Sequence, residues 1–333
     1  MAAIFETDLL MKPVDQGDAI IRAYESKAHF LAMLAKRKKL TQVYAEWTVD
    51  AQGNAYETGT AEGVDATDTP EFGLPKLVRA RAQIFRSKRW QVTRTAQAVE
   101  QADVADEVVR QKEKCQENYM ESIERALLSY QEAVATGTRK TRGAMRWLQS
   151  GAQGVDEVHA DIRPTAAMVH TGTLAALNQA AFKAMIGAAR NQLRKRPVLV
   201  GKVGWKLKQH MSAWAAISPV ETTENALKRY SMNAAEKRLL DMVDFFEFDT
   251  GAVRVMISDY LACDITTWAE TNFTPRSGIF IDPKYWGMRW LRPIQHFDQD
   301  DDGGGRRGYY EGEGMLVCDT PQGQLTVYTE SDS

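Results

Sequence analysis

Along the chain the spacing of apolar positions changes period several times, and each change marks an element. Val43, Ala45, Trp47 and Val49 alternate with Tyr44, Glu46 and Thr48, the period of two that a half-buried strand requires. Residues 50–75 lose that order and carry Gly53, Gly59, Gly63, Pro70, Gly73 and Pro75, residues that punctuate turns and loops. From Ala82 to Thr95 the chain reads extended again, through Ile84, Phe85, Trp90 and Val92. Two extended segments around a long polar excursion predict a projecting hairpin, with a plain surface loop as the alternative.

The period then lengthens. Val104, Val108, Cys115, Tyr119, Ile123, Leu127, Tyr130 and Val134 recur at helical spacing, with no Gly or Pro from Asp103 to Thr136. This predicts an amphipathic helix of roughly 30 residues or more, about 50 Å long at 1.5 Å per residue, ending near Gly137. A second helix is expected from Thr173 to Arg196, its end carrying Arg190, Arg194, Lys195 and Arg196 before Pro197, where cations suit the helix dipole and proline stops the turn. A third is expected from Asn233, with Glu236 as reciprocal cap and Leu239, Leu240, Val243 and Phe246 on one face. Short strands are expected around Val253–Ile257, Ile279–Ile281, Met315–Cys318 and Leu325–Tyr328. Residues 1–40 read as an arm with a short helix inside Ala19–Leu34, followed by the basic run Lys36 to Lys39. Residues 150–162 read as a flexible connection. Helices and strands mix without a regular repeat, which is α+β and not a doubly wound sheet.

Charge sharpens the hairpin. Asp50, Glu57, Glu62, Asp65, Asp68 and Glu71 fall in a stretch without Lys or Arg. Lys76, Arg79, Arg81, Arg86, Lys88, Arg89 and Arg94 fall in one without Asp or Glu. Signs this well separated either neutralise one another within the hairpin or pair between copies of it, where complementary patches steer association and set register. The whole chain of 333 residues has a formal net charge of -2, so any attraction to nucleic acid needs a local basic patch. Hydrophobic residues make up 44%, enough to build one large or two moderate cores.

Candidate chemistry fails at its decisive positions. Asp298, Asp300, Asp302 and Gly303 imitate a calcium loop, but its closing position falls on Tyr309, where a bidentate Glu is needed. Gly137, Lys140 and Thr141 lack phosphate-loop spacing and follow a helix where a strand is required. Among His29, His159, His170, His210 and His296 none has a second His or a Cys at ligand spacing. His170 near Thr171 and Thr173 lacks a nucleophile elbow. Glu311 and Glu313 share a face of a probable strand and read as salt-bridge partners of Arg306 and Arg307. Trp147, Trp205, Trp214, Trp268, Trp286 and Trp290 read as core or interface anchors. Cys115, Cys263 and Cys318 are odd in number and far apart, against a disulfide scaffold. No signal peptide and no membrane span is expected. No catalytic, cofactor-binding or metal residue is assigned.

Several stretches carry a resemblance to a known family: Glu62-Gly-Val-Asp-Ala-Thr67, Gln83-Ile-Phe85, Thr95-Ala-Gln-Ala-Val99, Glu124-Arg-Ala-Leu-Leu128 and Arg142-Gly-Ala-Met-Arg-Trp-Leu148. Ile281-Asp-Pro-Lys-Tyr-Trp286, Leu291-Arg-Pro293 and Gly308-Tyr-Tyr-Glu-Gly-Glu313 continue it. In order and spacing over about residues 30–330 the chain resembles the major capsid proteins of tailed double-stranded DNA bacteriophages, with the Hong Kong 97-like fold. The resemblance implies an N-terminal arm (1–42), an extended loop (43–98) and a peripheral domain with a spine helix (99–160). It further implies an axial domain (161–282) and C-terminal strands returning to the peripheral domain (283–333). It implies self-assembly into hexamers and pentamers of an icosahedral shell enclosing double-stranded DNA through non-specific contacts. A separate scaffold, a portal and a decoration or cement protein are the further partners, no membrane is involved, and the location is the virion after assembly in the bacterial host cytoplasm. Inter-subunit contacts are expected at Glu62, Asp65, Asp68, Glu71, Arg79, Arg81, Arg86, Lys88 and Arg89. The competing classes are another virion or prophage structural protein, of portal or scaffold type, and a cytosolic enzyme with an unrecognised site.

Overall fold

The computed structural model describes residues 29–50, 62, 75–98, 106–151, 158–216, 244–261, 275–300 and 304–329. Among the described residues the chain divides into a smaller unit (within Arg86–Tyr119 and Gln295–Glu311) and a larger one comprising the remainder.

The larger unit holds a six-stranded sheet. Its strands are β6 (Val169–His170), β7 (Val198–Val203), β8 (Phe245–Phe248), β9 (Gly251–Ile257), β10 (Gly278–Ile281) and β13 (Leu325–Val327), in the order β6-β13-β10-β7-β9-β8. β7 and β9 run parallel, β10 is antiparallel to both β7 and β13, and β8 is antiparallel to β9. Alternation along these strands gives one face to Leu199, Val203, Val253, Val255, Phe246, Phe248, Phe280, Leu325 and Val327. Onto that face pack Phe182, Met185, Ile186 and Ala189 of α5 (Gln179–Leu193) and Leu207 and Met211 of α6 (Trp205–Ala216). Phe182 is fully buried with its ring 5.0 Å from Phe280 and 5.5 Å from Trp214; burying such a side chain stabilises by about 2–3 kcal/mol. Gly201 sits under the Phe280 ring, where a Cβ would come within 2.6 Å of it.

The helix expected from Thr173 starts later, at Gln179. Asn178 caps it, its side chain accepting from the Ala181 amide at 2.8 Å, and Leu174 and Leu177 are buried ahead of it in a hydrogen-bonded turn outside the α-helix. The helix expected from Asn233 to Val243 lies outside the described residues, and Phe246, assigned to it, belongs instead to β8. Paired with Val253 on the core face, Phe246 follows period two.

A second sheet runs β1 (Ala35–Lys36), β11 (Trp286–Gln299), β12 (Arg306–Cys318), β4 (Gln83–Arg86), with β5 (Trp90–Val92) also on β12. In the smaller unit β5 meets β12 antiparallel at Arg306↔Val92 and Gly308↔Trp90, and Trp90, Val92 and Val108 form a local core. The late strands expected at Met315–Cys318 and Leu325–Tyr328 are present, the first as the end of the much longer β12. The expected helix of about 30 residues or more is α3, Glu107–Leu128, 22 residues, about 33 Å at helical rise. Periodicity overran its end for a physical reason. Ser129 donates to the Ala126 carbonyl at 2.7 Å and accepts from the Gln131 amide, turning the chain out of the helix. Tyr130 beyond it is still buried, so apolar spacing continues where helical structure has stopped. Short helices α1 (His29–Met33), α2 (Arg94–Ala98) and α4 (Ala144–Trp147) complete the described elements named here.

Candidate inter-subunit surface

The hairpin is real, but its strands differ from expectation. β2 (Tyr44–Val49) matches the alternating segment, while its antiparallel partner is β3 (Lys76–Arg81), not the extended stretch from Ala82. Val78 and Ala80 are buried, Lys76 shares their face at the start of the strand, and Leu77, Arg79 and Arg81 point the other way, an alternation that the density of cations obscured. Val49 pairs with Lys76, so residues 50–75 leave and return at one point. The ribbon is seated by Trp47, whose indole N–H donates to the Asp319 carbonyl at 3.2 Å and whose ring lies 6.2 Å from Trp147.

The basic residues are placed as follows. Arg79 stands opposite Glu46 in the ribbon and pairs with it at 3.1 Å; Arg81 stands opposite Tyr44, its guanidinium 4.6 Å from the ring centre. Lys76 pairs with Asp161 at 3.4 Å. In the smaller unit Arg86 reaches the nearly buried Glu311 through Nε and Nη2, both at 2.6 Å, and lies over the Tyr309 ring. The Glu311 hydrogen bond and charge raise the Arg86 pKa further. Lys88 and Arg89 are exposed, and among the described residues their side chains have no ion-pair partner. Their loop is nonetheless fixed: Ser87 N–H donates to the Tyr310 carbonyl at 2.8 Å and Tyr310 N–H to Ser87 Oγ at 2.8 Å. Two cations are thus presented on a pinned turn. Of the acidic residues, Glu62 is exposed in a turn; Asp65, Asp68 and Glu71 lie outside the described residues.

Glu311 and Glu313 are salt-bridge partners, as expected, but not of Arg306 and Arg307. Glu313 accepts from Arg139 at 2.9 Å and from Arg292 at 3.1 Å, and Glu311 from Arg86. These partners come from distant sequence positions that β-pairing brings alongside. Arg307 donates to the Asp300 carbonyl. His170 faces the Thr173 carbonyl at 3.1 Å, not a hydroxyl. Asp298 lies 3.5 Å from Lys112. Among the described residues no group of three or more His, Cys, Asp or Glu could hold a metal ion, and no helix is long and apolar enough to cross a membrane.

A family model described as SU10 major capsid protein matches residues 3–327. The chain belongs to the SU10 major capsid protein family. It is a capsid shell protein, and its fold agrees with that assignment. The capsid structure of cyanophage P-SCSP1u is similar at a TM-score of 0.57 and 10% identity, with 99% of this chain and 96% of that one covered. The cyanophage Pam1 capsid gives 0.57 at 12% identity, covering 99% of both. The capsid of a native GTA particle gives 0.56 at 11% identity, covering 97% and 96%. At such identities the likeness speaks for the fold, the Hong Kong 97-like capsid fold. No curated protein matches the chain.

One structural residue of this capsid subunit escaped sequence reading. Glu124 of α3 is 1% exposed, and its carboxylate accepts from the Phe30 amide at 2.7 Å and the Leu31 amide at 2.8 Å. It thereby ties the start of the described chain to the helix. Burial raises its pKa, against the two amides and the Lys202 charge. Lys202, equally buried, is pushed down by burial and up by Glu124. The Glu124-Arg-Ala-Leu-Leu128 stretch carried family resemblance, but no local pattern marks a carboxylate whose partners are 93 or more residues away.

Proposed function

We propose that the subunit self-assembles into hexameric and pentameric capsomers of an icosahedral shell around double-stranded DNA, and that the charge-split hairpin helps to hold neighbouring copies. The observation that carries the contact is the pairing of opposites: an acid-only run leaving the Val49–Lys76 base, and Lys88 and Arg89 exposed on a fixed turn. Glu62, Asp65, Asp68 and Glu71 of one copy would meet cations of another, Lys88 and Arg89 foremost. Arg79, Arg81 and Arg86 contribute their outward charge while bound to Glu46, Tyr44 and Glu311 of their own chain. In this reading residues 1–42 act as the arm, 43–98 as the extended loop, 99–160 and 283–333 as the peripheral domain, and 161–282 as the axial domain. The role is structural and not catalytic, in the virion, after assembly in the host cytoplasm with a separate scaffold, a portal and a decoration or cement protein.

Arg86 stays out of the test, because a Glu there would face Glu311. Purified protein carrying Lys88→Glu and Arg89→Glu should melt as wild type yet form fewer shells, by sedimentation and negative-stain microscopy, with wild-type assembly weakening as salt is raised. Normal shells from the double variant would remove the electrostatic contact. Absence of any capsomer from the wild-type protein, with and without phage lysate, would count against the assembly reading itself.

A further inference from the structure

A ridge of cations in the larger unit lies outside the two strands of the hairpin. It begins where α5 ends. Arg194 has φ 54 and ψ 23, a left-handed conformation that glycine or asparagine adopts at less cost. A charged side chain is kept there against backbone preference. The next residue, Lys195, is exposed and donates from Nζ to the Tyr285 hydroxyl at 2.9 Å. Lys284, also exposed, holds its Nζ 4.7 Å from the centre of the same ring. Held first by the Lys195 hydrogen bond, then by Lys284, the Tyr285 phenol has its pKa lowered, the mark of a local excess of positive charge.

Past Tyr285 the cations continue. Tyr285 lines an open cleft of 780 Å³ together with Arg37, Lys38 and Arg289. Arg37 donates to the Lys284 carbonyl at 2.7 Å, which makes ridge and cleft contiguous. The carboxylates in reach are Asp319, paired with Arg37 at 2.6 Å, Asp282, whose side chain caps the Lys284 amide, and Asp50 in the cleft wall. They leave Lys195, Lys284 and Arg289 without an ion-pair partner among the described residues. The turn that faces α5 is shaped for close approach: Gly323 has φ 68, and a Cβ there would lie 2.1 Å from Leu193.

We propose that this ridge, Arg194, Lys195, Lys284 and Tyr285 with Arg37 and Arg289 behind it, binds the phosphodiester backbone of double-stranded DNA. Arg194, Lys195 and Lys284 are exposed and offer point charges and donors, and the apolar side chains nearby, Trp47, Val49 and Val317, line the cleft beside them. That suits a rail of phosphates, read without regard to sequence, better than the anchored side chains of a protein partner. The inference deepens the reading of a DNA-enclosing shell by naming the face that meets the DNA, and it rests on that reading.

The test uses the full chain and a short fluorescein-labelled DNA duplex, with anisotropy titrations between low and moderate salt. Wild-type protein should bind with a steep salt dependence. Lys195→Gln with Lys284→Gln should make the slope of log K against log salt shallower by about 1.8, two phosphate contacts at roughly 0.9 each. Arg194→Gly relieves the backbone and should shift the slope by about 0.9 without lowering the melting temperature. Unchanged slopes in both variants overturn the proposal. It is equally overturned if a peptide of residues 50–71 displaces the duplex more effectively than unlabelled DNA does, which would make the acidic run of a second copy the occupant. Shell formation is followed in parallel. Shells that form while the slopes stay unchanged sink the DNA surface alone, whereas failure of the wild-type protein to assemble, with altered slopes in the variants, would sink the shell reading alone.

Discussion

Glu124 and Lys202 are each 1% exposed, whereas Glu46 and Arg79 on the hairpin ribbon keep 41% and 45% of their side chains in solvent. Both are opposite charges within one chain, yet their energetic meaning differs. The interior charges have given up water, and the carboxylate recovers part of the loss by accepting two amides of α1, with a smaller contribution from the Lys202 charge. The ribbon pair keeps its hydration and can exchange partners at little cost. A shell subunit needs both kinds: a fixed link between its early chain and its helix, and charges free to engage a neighbour.

The largest effect should come from removing the interior carboxylate. Glu124→Ala strands the Phe30 and Leu31 amides and removes a charge that favours the buried Lys202 ammonium; a loss of about 2–4 kcal/mol is expected in urea unfolding. A loss below about 1 kcal/mol would mean that the two charges are not coupled to the fold. Next comes the seat of the hairpin. Trp47→Ala removes the Asp319 hydrogen bond and the Trp147 contact; half-buried as Trp47 is, about 2 kcal/mol is expected, less than a fully buried aromatic costs. If stability is unchanged, the ribbon is held by β2–β3 pairing alone.

The pH dependence tests the same contrast. Glu124 has a folded pKa above its ordinary 4.5, so the native state binds its proton more tightly than the unfolded chain does. Its stabilising contribution is complete below about 4.5 and is lost as pH rises through the folded value. Lys202 runs the other way. Its folded pKa is below 10.5, so its contribution is present above that value and lost as pH falls through the folded one. Unfolding of wild type and Glu124→Gln compared at pH 7 and pH 4.5 should show wild type gaining relative to the variant at the lower pH. The smallest effect belongs to the ribbon: Glu46→Gln should cost about 0–1 kcal/mol, and raised salt should abolish it. A clear loss surviving high salt would move that pair into the interior class.

How far the sequence reached follows from how local each signal is. The β2 alternation, the C-terminal cations and proline stop of α5 and the strands at Ile279 and Leu325 are encoded by neighbours in sequence, and they were legible. The helix end at Leu128 was not, because Tyr130 keeps the apolar spacing while burying its side chain outside a helix. β3 was hidden because three of its six positions, Lys76, Arg79 and Arg81, are cationic and only Val78 and Ala80 mark the buried face. Glu311 and Glu313 were recognised as ion-pair residues, but Arg86, Arg139 and Arg292 could not be named as their partners.

By itself, then, the sequence determined the α+β content, the separation of acidic from basic charge around the hairpin, and the family, which the SU10 model match over residues 3–327 bears out. These depend on residue order and on local periodicity. Only the tertiary structure decided which strand closes the hairpin, which arginines neutralise Glu311 and Glu313, and that Glu124 and Lys202 share an interior. Those outcomes depend on side chains tens to hundreds of positions apart arriving at one place, and a burial cost or a salt bridge exists only after they have arrived.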